Sequence, residues 1–116
     1  MRMADDNNLH VLLVDDNPDD VELIRRQLER EFPGVKIDHA SAPEPLKRAL
    51  DSGQFNIVIT DFQLQWSDGL AVLREVKSRF PYRPVIMFTA TGTQEVAVEA
   101  LKSGLDDYII RLRDIT

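Results

Sequence analysis

Short runs of apolar residues, each ending in a polar residue, constrain the fold of this chain most. They lie at residues 11–14, 57–59, 85–88 and 108–110. Because these runs are continuous rather than alternating, they are typical of strands buried on both faces of a parallel sheet. Residues 35–40 alternate apolar and polar side chains instead, which predicts an edge strand. The chain is therefore expected to contain five strands.

Four segments between these strands carry apolar residues at helical spacing. The first begins at Asn17-Pro18, where asparagine suits the N-cap and proline the first helical position. The second, third and fourth helices are predicted over residues 42–52, 69–80 and 93–103. Asp68 is expected to cap the third helix, at residues 69–80. In the last one, Val96, Ala100 and Leu101 are interpreted as core packing. Strands alternating with helices predict an α/β fold with one doubly wound, five-stranded parallel sheet.

Composition excludes several classes of protein. The 116 residues suffice for one hydrophobic core, and the absence of cysteine excludes disulfides and thiolate sites. A formal net charge of −6 disfavours direct binding of nucleic acid through its phosphates. No stretch has the length of a membrane span, and residues 1–8 form a polar tail rather than a signal peptide. We expect a cytoplasmic domain without membrane contact.

Polar residues follow the predicted strands at the point where each strand ends: Asp15, Asp16, Asp61, Thr89 and Arg111. The carboxyl ends of parallel strands meet at one edge of a sheet, which is where α/β proteins place their sites. Clustered carboxylates repel one another and call for a counter-cation. Oxygen ligands favour Mg²⁺ or Mn²⁺, since His10 and His39 are interpreted as strand-flank residues. A carboxylate beside such an ion can accept a phosphoryl group.

Several short motifs together are characteristic of one family. They are Val14-Asp15-Asp16-Asn17, Asp61, Asp68-Gly69, Phe88-Thr89-Ala90, Ala100-Leu101-Lys102-Ser103-Gly104 and Asp107-Tyr108-Ile109-Ile110. With these motifs, residues 9–113 resemble the receiver domain of two-component response regulators. The resemblance implies the flavodoxin-like strand order 2-1-3-4-5.

The resemblance also implies roles for individual residues. Asp61 would accept a phosphoryl group from a histidine kinase or a phosphotransfer protein. Asp16 and Asp61 would bind Mg²⁺ directly and Asp15 through water, and the backbone carbonyl of Gln63 would be a further ligand.

Other residues would carry the response to phosphorylation. Thr89 and Ala90 would contact the phosphoryl group, and Tyr108 would change rotamer with Thr89. The surface of the fourth helix, fifth strand and fifth helix would then meet an output domain or protein, and a homodimer stays open. Such a chain is a switch rather than a turnover enzyme. A small Mg²⁺-dependent phosphatase is disfavoured, because such enzymes carry aspartate where Gln63 stands.

The chain departs from the family pattern at three places. Arg111 replaces the usual lysine, so it either contacts the phosphoryl group or pairs permanently with the acids, which would leave an interaction module with impaired phosphorylation. Gln65 stands where the family often has proline, and Trp66 beside it borders the site. Gln63 either tunes hydrolysis of the phosphoryl group or is a solvated loop residue. Residues 114–116 would only begin the fifth helix, so we expect residues 9–116 to be a truncated receiver domain with an exposed apolar strip.

Overall fold

A computed structural model of the chain describes residues 9–90 and 93–110. Strands and helices alternate as predicted. The strands are β1 (His10–Val14), β2 (Lys36–Ala40), β3 (Ile57–Thr60), β4 (Val85–Thr89) and β5 (Asp107–Ile110). The helices are α1 (Pro18–Glu31), α2 (Pro43–Ser52), α3 (Gly69–Arg79) and α4 (Gln94–Lys102). The five strands form one sheet in the order β2-β1-β3-β4-β5, which confirms the predicted fold class and the edge position of β2.

The chain divides into two compact units between Val58 and Ile59. In the first unit, β1 and β2 pair in parallel register from His10 opposite Lys36 to Val14 opposite Ala40. Residues 11–14 are almost completely buried, as their apolar run predicts. Helix α1 begins where expected, because the side-chain oxygen of Asn17 accepts hydrogen bonds from the first-turn N–H groups.

In the second unit, β4 and β5 pair in parallel register from Ile86 opposite Asp107 to Thr89 opposite Ile110. Helix α3 is capped by Asp68, whose carboxylate accepts a hydrogen bond from the N–H of Ala71 at 2.9 Å. The buried side of this helix carries Val72, Leu73 and Val76.

Two interpretations of apolar residues are wrong. Strand β5 is not buried on both faces, since Ile109 is 40% and Ile110 54% exposed. The strand is the last one in the sheet, so its side chains have same-face neighbours from an adjacent strand on one side only. Leu101 is 56% exposed whereas Ala100 is buried, because neighbouring residues on a helix point in different directions.

Some predictions concern residues outside the described part of the chain. These are the polar tail at residues 1–8, Arg111, and the start of a fifth helix at residues 114–116. Within residues 9–90 and 93–110, no helix has both the length and the apolar character needed to cross a membrane.

Candidate functional site

The first acidic residue after β1 is held in place at three points. Asp15 is buried, and its carboxylate Oδ1 accepts a hydrogen bond from the N–H of Asn17 at 2.9 Å. Its own N–H donates to the carbonyl of Ala40 at 3.2 Å, and its carbonyl accepts a hydrogen bond from Nε2 of His39 at 2.7 Å. Asp16, the next residue, is half-buried. The turn after β1 therefore fixes one carboxylate and leaves its neighbour more accessible.

A third acid of the first unit was missed by the sequence analysis. Asp20 lies in the first turn of α1 and is only 7% exposed, and its N–H donates to the side chain of Asn17 at 3.2 Å. The four-residue spacing between Asp20 and an apolar residue of the same helix could have identified it as buried. Asp20 stands four residues before the buried Ile24 and therefore shares its side of the helix. An acid on the buried side of a helix needs a counter-charge or a function.

In the second unit, Asp61 follows β3 directly. The side chain is half-buried, and its buried Oδ1 accepts no hydrogen bond from any residue that the structure describes. Its backbone carbonyl accepts a hydrogen bond from the hydroxyl of Thr60 at 2.9 Å. An unsatisfied buried carboxylate oxygen is costly in a folded protein and is expected where a cation or another ligand binds.

A glycine at the start of α3 fits closely against the backbone of Asp61. The N–H of Gly69 donates to the carbonyl of Phe62 at 2.7 Å. A Cβ added at Gly69 would lie 2.6 Å from the carbonyl oxygen of Asp61, which is closer than real Cβ contacts come. Gln63 in the intervening loop is exposed and forms a β-bridge with Asp68, while Trp66 is half-buried. The loop thus reaches its observed path only because residue 69 has no side chain.

Three further residues named by the resemblance lie at the end of β4, directly after it, and in β5. Thr89 is buried as the last residue of β4, and Ala90 follows it half-buried. Tyr108 lies opposite Met87 on β5, and its buried hydroxyl has no hydrogen-bond partner among the described residues. Burial and the negative charge of Asp61 raise the pKa of the Tyr108 phenol. The Tyr108 phenol therefore lies within electrostatic reach of Asp61.

In the first unit, Asp15 and Asp20 each offer a carboxylate oxygen, and these two oxygens lie within 4.8 Å of one another. The resemblance names Asp16 rather than Asp20. In the second unit, the buried Oδ1 of Asp61 accepts no hydrogen bond from the described residues. Oxygen donors with net negative charge suit a hard divalent ion. The residues present therefore fit Mg²⁺ or Mn²⁺.

Comparisons with known proteins agree on one family. The family model described as "Response regulator receiver domain" matches residues 11–113. The response regulator protein PilR of Pseudomonas aeruginosa is 34% identical over 106 residues, which cover 90% of this chain and 23% of PilR. The chain thus spans about a quarter of the length of the first curated relatives that it matches, which include the ZraR regulators at 24%.

Solved structures show the same fold. The response regulator TrrA of Thermotoga maritima, solved in complex with Mg²⁺-BeF, is 27% identical with a TM-score of 0.76, covering 89% of this chain and 86% of TrrA. A response regulator of Burkholderia pseudomallei, solved with a phosphorylated aspartic acid, a calcium ion and citrate, superposes with a TM-score of 0.79. At 22% identity, the match covers 92% of this chain and 62% of that one.

Proposed function

Because this chain belongs to the response regulator receiver domain family, we propose that it is a phosphoacceptor switch whose acceptor is Asp61. The observation that carries this proposal is the carboxylate of Asp61 at the end of β3, with one buried oxygen that accepts no hydrogen bond from the described residues. The donor would be a histidine kinase or a phosphotransfer protein.

The acidic cluster would hold the divalent cation that this transfer needs. Asp16 and Asp61 would bind it directly and Asp15 through water, together with the carbonyl of Gln63, and Asp20 adds a further negative charge beside Asp15. The ion, when bound, would offset the negative charge that gathers on the transferring phosphoryl group. Asp15 suits this part because its carboxylate and its carbonyl are both held by hydrogen bonds before the ion arrives.

In the transfer itself, an oxygen of Asp61 donates an electron pair to phosphorus. The new O–P bond forms as the P–N bond to the donor histidine breaks, and the imidazole leaves with that electron pair and takes up a proton. No separate substrate is turned over. Gln63, exposed in the loop after Asp61, is positioned in sequence to influence the water that later hydrolyses the acyl phosphate.

The response would pass through Thr89 and Tyr108 to a partner. Phosphorylation changes the charge beside Tyr108, whose buried hydroxyl has no described hydrogen-bond partner to hold it. The nearby elements α4 and β5 expose several apolar side chains: Val98, Leu101, Ile109 and Ile110. An apolar surface of this kind suits an output domain or protein, or a second receiver domain in a dimer. We place this switch in the cytoplasm.

The experiment is phosphorylation by acetyl phosphate, followed by intact-protein mass spectrometry with Mg²⁺ or with a chelator. Wild type should gain one phosphate only with Mg²⁺, and Asp61→Asn should gain none. Asp68→Asn is the matched control, because Asp68 is exposed and caps α3. A wild type that stays unmodified under all conditions contradicts the proposal.

A second candidate function rests on Arg111. If its guanidinium pairs permanently with the carboxylates, the chain is a receiver-like interaction module with impaired phosphorylation. Arg111→Lys distinguishes the two functions. If the chain is an interaction module, this substitution should strongly raise the rate of labelling by acetyl phosphate. If the chain is an active phosphoacceptor, wild type is already labelled efficiently and the substitution should change the rate little.

A further inference from the structure

We propose that His39 is a positioning residue that sets the affinity of the acidic site for its divalent cation by holding Asp15. This inference rests on the proposed function, since the cation belongs to the phosphoacceptor site. From the sequence alone, His39 is only a residue that flanks a strand. Its ring instead reaches from β2 to the end of β1, where Nε2 lies 2.7 Å from the carbonyl oxygen of Asp15.

The chemistry of this contact fixes its direction. A carbonyl oxygen only accepts hydrogen bonds, so Nε2 of His39 must carry the hydrogen and donate it. Both the neutral ring with its hydrogen on Nε2 and the protonated ring can donate from this atom. The contact is therefore compatible with either charge state of the ring.

Two other hydrogen bonds of Asp15 do not replace this one. The hydrogen bond between its Oδ1 and the N–H of Asn17 spans only two residues, so it moves with the turn. The hydrogen bond from its N–H to Ala40 is longer, at 3.2 Å. His39 therefore provides the shortest link between Asp15 and β2. Without it, the peptide plane of Asp15 has more freedom to rotate, and the carboxylate loses its fixed direction.

Groups that orient a metal ligand without touching the metal change affinity more than they change folding. Loss of such a partner typically weakens metal binding by about 10- to 100-fold. The ring of His39 is exposed, so we expect the lower end of that range. A group with only a structural role would instead lower stability and leave affinity unchanged.

The same pair of strands contains a matched control. Nε2 of His10 on β1 lies 2.7 Å from the carboxylate of Asp38 on β2. This contact joins the same two strands at the opposite end, since His10 begins β1 and Asp15 follows its last residue. His10→Ala and His39→Ala therefore each remove one imidazole contact of the same length, but only His39 touches a residue of the acidic site.

The experiment is calorimetric titration of the full chain with Mg²⁺ and with Mn²⁺, together with urea unfolding of each cation-free variant. His39→Ala should weaken binding about 10-fold. His39→Gln, whose amide nitrogen can replace the donor, should recover most of this loss. His10→Ala should lose about as much stability in urea as His39→Ala does, but it should bind both cations as tightly as wild type. In phosphorylation by acetyl phosphate, His39→Ala should need more Mg²⁺ for half-maximal labelling and reach the same final extent.

Two results would overturn the proposal for His39 alone: wild-type affinity in His39→Ala, or an equal loss of affinity in His10→Ala. If wild type binds neither cation in the calorimeter, the proposed metal site and the role of His39 both fail. Normal cation binding with no phosphorylation of wild type would contradict the proposed function and leave the role of His39 intact.

Discussion

Gly69→Ala tests the close fit between α3 and the backbone of Asp61. The added Cβ would lie 2.6 Å from the Asp61 carbonyl oxygen and 2.9 Å from both Cα of Phe62 and Cε of Met87. Ordinary contacts begin at 3.4 Å, so the Asp61 carbonyl must move by about 0.8 Å. Two of these three atoms belong to the backbone and cannot turn away as a side chain would.

The cost follows from this geometry. Overpacking of a tight site costs roughly 1–3 kcal/mol, and the gain from replacing glycine returns about 0.4–1 kcal/mol. We expect the free energy of unfolding to fall by about 1 kcal/mol and the Tm by about 5 °C. Because the nucleophilic carboxylate of Asp61 is attached to this backbone, a displacement of this size should also slow phosphorylation by roughly 10- to 100-fold. Urea unfolding and the initial rate of labelling by acetyl phosphate measure the two effects.

Gly104→Ala is the control for this prediction. Gly104 has a φ of +100°, so alanine there is strained, but its Cβ would meet only the side chain of Lys77 at 3.8 Å or more. This variant should lose about 1–2 kcal/mol of stability and be phosphorylated at the normal rate. The reasoning is refuted if Gly69→Ala is as stable as wild type, or if both variants are slowed equally.

Two further variants test charges. Asp20→Asn removes a carboxylate with one oxygen within 4.8 Å of a carboxylate oxygen of Asp15, and two charges at that distance repel by roughly 3 kcal/mol at an effective dielectric constant of ~20. The cation-free protein should therefore gain about 1–3 kcal/mol in urea unfolding while its Mg²⁺ affinity falls about 10-fold, and the exposed neighbour variant Asp19→Asn should do neither. Lys77→Met removes an ammonium that donates to the carbonyl of Arg83 at 2.8 Å and to the carboxylate of Asp106 at 3.0 Å. Burial alone would raise the pKa of Asp106, but the hydrogen bonds from Val85 and Lys77 and the charge of Lys77 lower it. The stability that Asp106 contributes is thus complete above its ordinary pKa of 3.8 and is lost as pH falls through the lowered value. Unfolding measured from pH 7 down to about 3 should therefore show a smaller loss in Lys77→Met than in wild type, and an equal loss would exclude this ion pair as a source of the pH dependence.

Much of the fold could be predicted from local sequence signals. The apolar runs marked the strands, and Asn17 and Asp68 marked the first turns of α1 and α3, because these signals act within a few residues. The strand order could not be derived from spacing and came from the family resemblance. The exposure of Ile109 and Ile110 could not be predicted either, because a short apolar run can occur in an edge strand as well as in a central strand.

The sequence singled out Asp15 and Asp61 as candidate site residues but not the contacts that hold them. Asp15 and Asp61 stand out because each ends an apolar strand. Asp20 looked like an ordinary charged residue of a helix, and only its spacing from Ile24 marks it as buried. The contact of His39 with Asp15 depends on the register between β1 and β2, which places His39 opposite Leu13. That register is a tertiary property, so no local pattern shows it.

The central claim is that Asp61 is the phosphoacceptor, and locating the phosphate tests it most directly. After labelling with acetyl phosphate and Mg²⁺, the acyl phosphate is reduced with borohydride, and the peptides are sequenced by mass spectrometry. The account predicts one modified residue, Asp61, and no modification in Asp61→Asn. Modification of Asp15, Asp16 or Asp20 in wild type, or an equally labelled Asp61→Asn, would contradict it.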